Sequence, residues 1–238
     1  MRPAVAVRGK NVVDSSVAVP SRDEVLARYR RLREISKHHH DLALESLPPG
    51  SILQHARRLG LAVGRTLVLD DMDELTYAYD LAIYTASPGR SRAIDRYARS
   101  ARPAPGSDEA LMLEAMCRAR FVIARVERRH PAAGLIVLDT ARNTELWLMD
   151  EGLESSLPVG CGLATRLYTP ETFSMTAGVF VPLDNDLLLD VFHEVPQVRR
   201  KGPEEGVNDR RFAEALYRLA LADGIMERMA YRDPGGED

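Results

Sequence analysis

Cysteine is scarce in this 238-residue chain. Cys117 and Cys161 are its only two, one in an expected helix and one near the start of an expected strand. They lack the paired spacing of a zinc knuckle, so reduced structural thiols in a cytoplasmic setting are the expectation. Long apolar runs are missing as well. The longest, such as Leu135-Ile136-Val137-Leu138 and Leu187-Leu188-Leu189, fall far short of the roughly 20 residues a membrane helix needs, which leaves no membrane partner. Met1 to Pro20 carries Arg2, Arg8 and Lys10 but no apolar core of a secretory signal. No charge of one sign prevails: a formal net charge of −3, with 45% hydrophobic and 28% charged residues, is ordinary for a globular protein and names no partner. Internal repeats and low-complexity segments are absent too.

Catalytic signatures are equally wanting. There is no G-x-S-x-G elbow, no phosphate-binding glycine loop, no kinase set and no local Cys–His pairing. Gly160-Cys161-Gly162 reads as packing beside a tight turn. His38-His39-His40-Asp41 offers metal-ligand chemistry, with His55 or His193 as distant partners, but consecutive helical residues point about 100° apart and cannot converge alone. With no H-E-x-x-H or C-x-x-C spacing, His39 is placed beside an apolar stripe and its neighbours in solvent. No catalytic residue, metal or cofactor is assigned.

What is present is a pattern of helices followed by strands. Residues 1–20 have no periodicity and read as a flexible arm. A helical part spans 21–131. Ser21 and Glu24 stand in capping-box spacing ahead of the stripe Val25, Tyr29, Leu32, Ile35 and Leu42. Ser51 with Gln54 opens a second helix that Gly60 closes. Asp71 with Glu74 opens a third, Ser91–Ser100 forms a fourth, and Ser107 caps a long fifth over about 108–130. From 132 to 195 the period becomes that of a strand. Segments at 135–139, 145–150, 161–168 and 173–182 form a four-stranded antiparallel meander or small barrel, followed by a helix at Asp184–Val195. Residues 196–238 are a linker and a helix over about Asp209–Tyr231. The fold class is α+β.

Three surfaces invite a binding reading. Asp70, Asp71, Asp73 and Glu74, with Asp80 further on, resemble a cation cluster, but acids belong in the first turn of a helix for dipole reasons. Arg90, Arg92, Arg96, Arg99 and Arg102, then Arg118, Arg120, Arg125, Arg128 and Arg129, have the density of a phosphate footprint or of internally paired charges. In the third and fourth strands, Arg166, Tyr168, Ser174 and Thr176 fall opposite the apolar set. Alternation places them on a wet sheet face, where they make the most localised binding surface.

The order of segments resembles an uncharacterised bacterial family. The likeness is carried by His55-Ala56-Arg57-Arg58-Leu59-Gly60, Asp73-Glu74 into Asp80-Leu81-Ala82-Ile83-Tyr84, Arg92-Ala93-Ile94-Asp95-Arg96-Tyr97, Ser107-Asp108-Glu109, Arg166-Leu167 and Phe173-Ser174-Met175-Thr176-Ala177-Gly178. It covers about residues 22–194. Some members are joined to a C-terminal SEC-C zinc motif. From Val195 onward this chain has no cysteine, so zinc is not carried over. The resemblance implies a bacterial cytoplasmic setting and brings no activity. The reading preferred on sequence is a non-enzymatic binding or adaptor protein whose partner is a protein rather than a nucleic acid. The alternatives are a hydrolase with a site assembled from distant residues, or a nucleic-acid-binding protein.

Overall fold

A computed structural model describes residues 20–225. Helix α1 (Arg22–Glu45) starts as its spacing predicts: the Ser21 hydroxyl accepts from the Glu24 amide, and the Glu24 carboxylate accepts from the Ser21 amide at 2.9 Å. Its stripe of Val25, Tyr29 and Leu32 is buried. Helix α2 (Ser51–Leu59) ends at Gly60, in the left-handed conformation at φ +84°. The expected Ser51 cap does not form, because Gly50 occupies the cap position and the Ser51 hydroxyl donates to the Pro48 carbonyl. A small hairpin of β1 (Ala62–Val63) and β2 (Thr66–Leu67) precedes a 3-10 turn capped by Asp71. Helix α3 (Leu75–Tyr84) is buried at eight of its ten residues, the mark of a central rather than a surface helix. Helix α4 (Ala93–Ser100) and α5 (Asp108–Cys117) complete this part.

The expected long helix at 108–130 is a helix and a strand. Ser107 caps α5 as read, but at Arg118 the backbone leaves the helix and continues as β3 (Arg120–Arg129). Neither glycine nor proline marks the change. The strand is buried on both faces over Phe121–Ala124, so it lacks the alternation that would have separated it from a helix.

The remaining elements follow as β4 (Leu135–Asp139), β5 (Thr144–Leu148), α6 (Glu151–Ser156), β6 (Gly162–Tyr168) and β7 (Met175–Leu183), then α7 (Asn185–Glu194), α8 (Pro196–Arg199), α9 (Pro203–Val207) and α10 (Arg210–Asp223). The sheet therefore has five strands, not four, in the order β5-β4-β3-β6-β7 with every pair antiparallel. It is no simple meander, because α6 carries the chain from one edge to the far side of β3. An isolated bridge between Leu148 and Ser174, with Met149 N–H donating to the Ser174 carbonyl at 2.8 Å, ties the β5 edge to the lead-in of β7. The arm at residues 1–20 lies outside the described residues apart from Pro20, as does the expected C-terminal helix beyond residue 225.

Apolar side chains cluster in three places. Val122, Val126, Val137, Leu148 and Leu163 meet on one sheet face, where Leu153 of α6 and Leu157 pack against them. Ile83, Tyr84, Tyr168 and Met175 pack with α1, α4 and α5. Phe121, Ala164 and Val181 pack with α2, α7 and α10. Helix α3 contributes to both helical clusters. The four residues expected on one wet sheet face are instead buried and divided between the two faces: Arg166, Tyr168, Ser174 and Thr176 are 5%, 1%, 2% and 3% exposed, and the register sets Met175, not Thr176 or Ser174, opposite Tyr168, with Thr176 opposite Leu167. Alternation cannot distinguish a solvated face from one roofed by helices that arrive from elsewhere in the chain.

Candidate functional site

A carboxylate on a helix as buried as α3 needs a charged or hydrogen-bonded partner. Asp80 receives three donors. Arg166 of β6 gives Nε to Oδ1 at 2.7 Å and Nη2 to Oδ2 at 2.9 Å, and the Tyr217 hydroxyl of α10 donates to Oδ2 at 2.9 Å. The Arg166 guanidinium also lies 5.0 Å from the Tyr84 ring centre and 5.4 Å from that of Phe121, within cation–π range. Burial works against its charge, but the Asp80 carboxylate outweighs burial and holds the guanidinium above its ordinary value. Burial, reinforced by Asp80, pushes the Tyr217 hydroxyl far up, so it stays a proton donor.

Nη1 of Arg166 is the remaining amino group. It makes no hydrogen bond among the described residues, where the only fully buried side-chain polar atom without a partner is His55 Nδ1. Nη1 therefore keeps some exposure, and Arg166 lines a cavity of about 530 Å³. Around that cavity stand Arg92, Lys201, Arg210 and Arg211, with Asp209 as its one acidic wall residue. A second cavity of about 660 Å³ shares Thr85, Ala86 and Arg210 with the first; Arg58, Arg90 and Arg96 line it and no acid does.

Turn and cap chemistry brings these cations together. Gly89, at φ +76°, turns the chain between α3 and α4, so Arg90 and Arg92 arrive just ahead of α4. Asp209 caps α10 and leaves Arg210 and Arg211 in its first turn. Cations at helix N-termini oppose the dipole, so this placement concentrates positive potential without helping the helices. Arg211 and Lys201 share Asp209 at 2.7 and 3.2 Å, which holds that carboxyl well below its usual range. Arg92 pairs with Asp95 at 2.6 Å, and Arg58 reaches Glu214 at 3.4 Å. Arg90 and Arg210 have no side-chain hydrogen bond or ion pair among the described residues. Burial, then Arg58 and Arg210, lower His55 to about 4, so its ring is neutral at pH 7.

The expected site residues separate in this light. Arg166 joins the cleft. Tyr168 instead donates to the Ser36 hydroxyl at 2.9 Å, Ser174 bonds Thr169 at 2.7 Å, and Thr176 donates to Asp150 at 2.7 Å. Of the arginine-rich stretches, Arg90, Arg92 and Arg96 line the cavities, whereas Arg118, Arg125 and Arg128 pair with Glu114, Glu127 and Glu145. In the histidine run, His39 bonds Tyr97 and the Glu109 carbonyl, and His40 bonds the Tyr84 hydroxyl at 2.7 Å rather than meeting solvent. Among the described residues no group of three or more His, Cys, Asp or Glu is arranged to hold a metal ion. Sequence reasoning missed Lys201, Arg210 and Arg211. The basic density of Arg199-Arg200-Lys201 and Arg210-Arg211 was the available signal.

Fold and site together define a mixed α+β protein with an arginine-lined cleft built over a buried ion pair. The chain belongs to the family of unknown function DUF7986, whose family model matches residues 23–230. No curated protein and no solved structure matches it. No helix among the described residues is long and apolar enough to cross a membrane.

Proposed function

We propose that this is a non-enzymatic binding protein that holds an anionic ligand in the cleft between α2, α4 and α10. The observation that carries the reading is Arg166: two of its nitrogens are locked on Asp80, the third is left without a hydrogen bond, and the residue lines a cavity with four more cations and one occupied acid. An arginine fixed by a second carboxylate is pre-organised to receive an anion, which lowers the ordering cost of binding. A hydrolytic reading finds less support, since Asp209 is held ionised by two cations and His55 is neutral and poorly basic. The bacterial and cytoplasmic setting implied by the family resemblance belongs to the same proposal, and the SEC-C module has no part in it.

The test is a titration of the full chain with inorganic phosphate at low ionic strength, followed by 1H–15N NMR including the arginine side-chain signals. Saturable shifts of Arg166 Nε–H and of the Arg92 and Arg210 amides are expected, and Arg211→Gln should weaken them. Absence of any saturable response overturns the reading.

A further inference from the structure

The two cavities differ from a shallow cationic surface in one respect. The Arg166 side chain on the floor of the first is only 6% exposed, so whatever meets Nη1 must project a terminal group into a recess. A phosphodiester backbone is flanked on both sides by sugars and cannot do so; a terminal phosphate or carboxylate can. Five cationic side chains line this cavity; Asp80, Asp95, Asp209 and Glu205 pair with four of them and leave Arg210 without an acid among the described residues. So many N–H donors suit the three acceptor oxygens of a phosphate monoester better than the two of a carboxylate.

The second cavity adjoins the first, sharing Thr85, Ala86 and Arg210 with it, and it too has a cationic wall, of Arg58, Arg90, Arg96 and Arg210, with no acid. Arg58 reaches Glu214, but one anion in the first recess would leave Arg90 and Arg96, which have no ion pair among the described residues, unanswered. Each volume lies in the range of small-molecule sites, roughly 300–1,000 Å³.

Building on the proposed anion-binding role, we infer that the ligand is a small organic molecule with two separated phosphate groups. One phosphate sits on Arg166 in the first recess, the other among Arg58, Arg90 and Arg96, and Arg210 stands between them.

A ladder of linear alkanediol bisphosphates, from ethanediol to octanediol, tests this without assuming a spacing. Calorimetric titration of the full chain would compare each with butyl phosphate. The expected result is an optimum at one chain length, at least tenfold tighter than butyl phosphate. Combining Arg90→Gln with Arg96→Gln should abolish that advantage while leaving butyl phosphate binding intact, and Arg128→Gln, on the sheet and paired with Glu145, should change neither. A flat ladder with butyl phosphate still bound overturns the two-group inference and spares the anion-binding reading. No binding by any member overturns both. Tighter binding of a single-stranded oligonucleotide than of the best bisphosphate also overturns the inference, in favour of nucleic acid.

Discussion

Arg166 and Asp80, 86 residues apart in the chain, face each other through two parallel hydrogen bonds of 2.7 and 2.9 Å, with side chains 6% and 1% exposed. The pair locks β6 to α3, and Tyr217 adds α10 to the same carboxylate. A buried ion pair of this kind loses as much hydration as it gains in attraction, so its net worth is small while the loss of one partner is expensive.

Asp80→Leu and Arg166→Met are each expected to cost about 3–5 kcal/mol in urea unfolding, because either leaves a buried group uncompensated. The combined Asp80→Leu, Arg166→Met variant should be markedly more stable than either single change. Additive losses would show that the two side chains do not act as a pair.

Gly134 and Gly178 both hold positive φ, +83° and +99°, but only Gly134 is hemmed in, with the Leu148 carbonyl oxygen where a Cβ would go. Gly178→Ala should cost about 1–2 kcal/mol from the left-handed backbone alone. Gly134→Ala should cost at least twice as much, since a backbone oxygen cannot step aside. Equal losses would contradict the close approach of β5.

His40 is pushed down to about 4 by burial and by Arg33, against an ordinary value of 6.5. Between those values the unfolded chain binds more protons than the folded one. The contribution of the neutral ring is therefore complete above pH 6.5 and is lost as pH falls toward 4, by up to about 3 kcal/mol. His40→Gln, which keeps an acceptor for Tyr84, should flatten the stability slope between pH 6.5 and 4.5. An unchanged slope would mean that His40 does not titrate in that window.

Trp147, the only tryptophan, stacks on His130 with centroids 3.8 Å apart and planes 11° from parallel. Burial, then Arg128, lower the His130 value. Indole emission should fall on acidification with a midpoint below 6.5 as the stacked imidazole charges, and His130→Ala should remove the transition. A midpoint at or above 6.5 would speak against the half-buried stack.

Much of this architecture was legible in the residues. Ser21 with Glu24, Gly60 and the hairpin around Thr140–Thr144 are local signals that tertiary context did not override. β3 was not legible, because Phe121-Val122-Ile123-Ala124 is covered on both sides and follows α5 with no breaking residue. At the candidate site, Arg166 is singled out by the sequence but with the wrong surroundings: its orientation is fixed by Asp80, which Tyr217 also holds, and only the packing of α3 and α10 onto the sheet supplies them. Arg210 and Arg211 looked like the start of a linker-borne helix, and nothing local aims them at Arg166.

The middle position of β3 has a bearing on how the chain assembles during synthesis. It is the first of the five large-sheet strands in chain order, and every later strand pairs with one that precedes it. β4 and then β5 add to one side, β6 and then β7 to the other, so every later strand meets an edge that already exists. Synthesis therefore never delivers a strand ahead of the neighbour it pairs with, and the Leu148–Ser174 bridge links the β5 edge to the lead-in of the last strand.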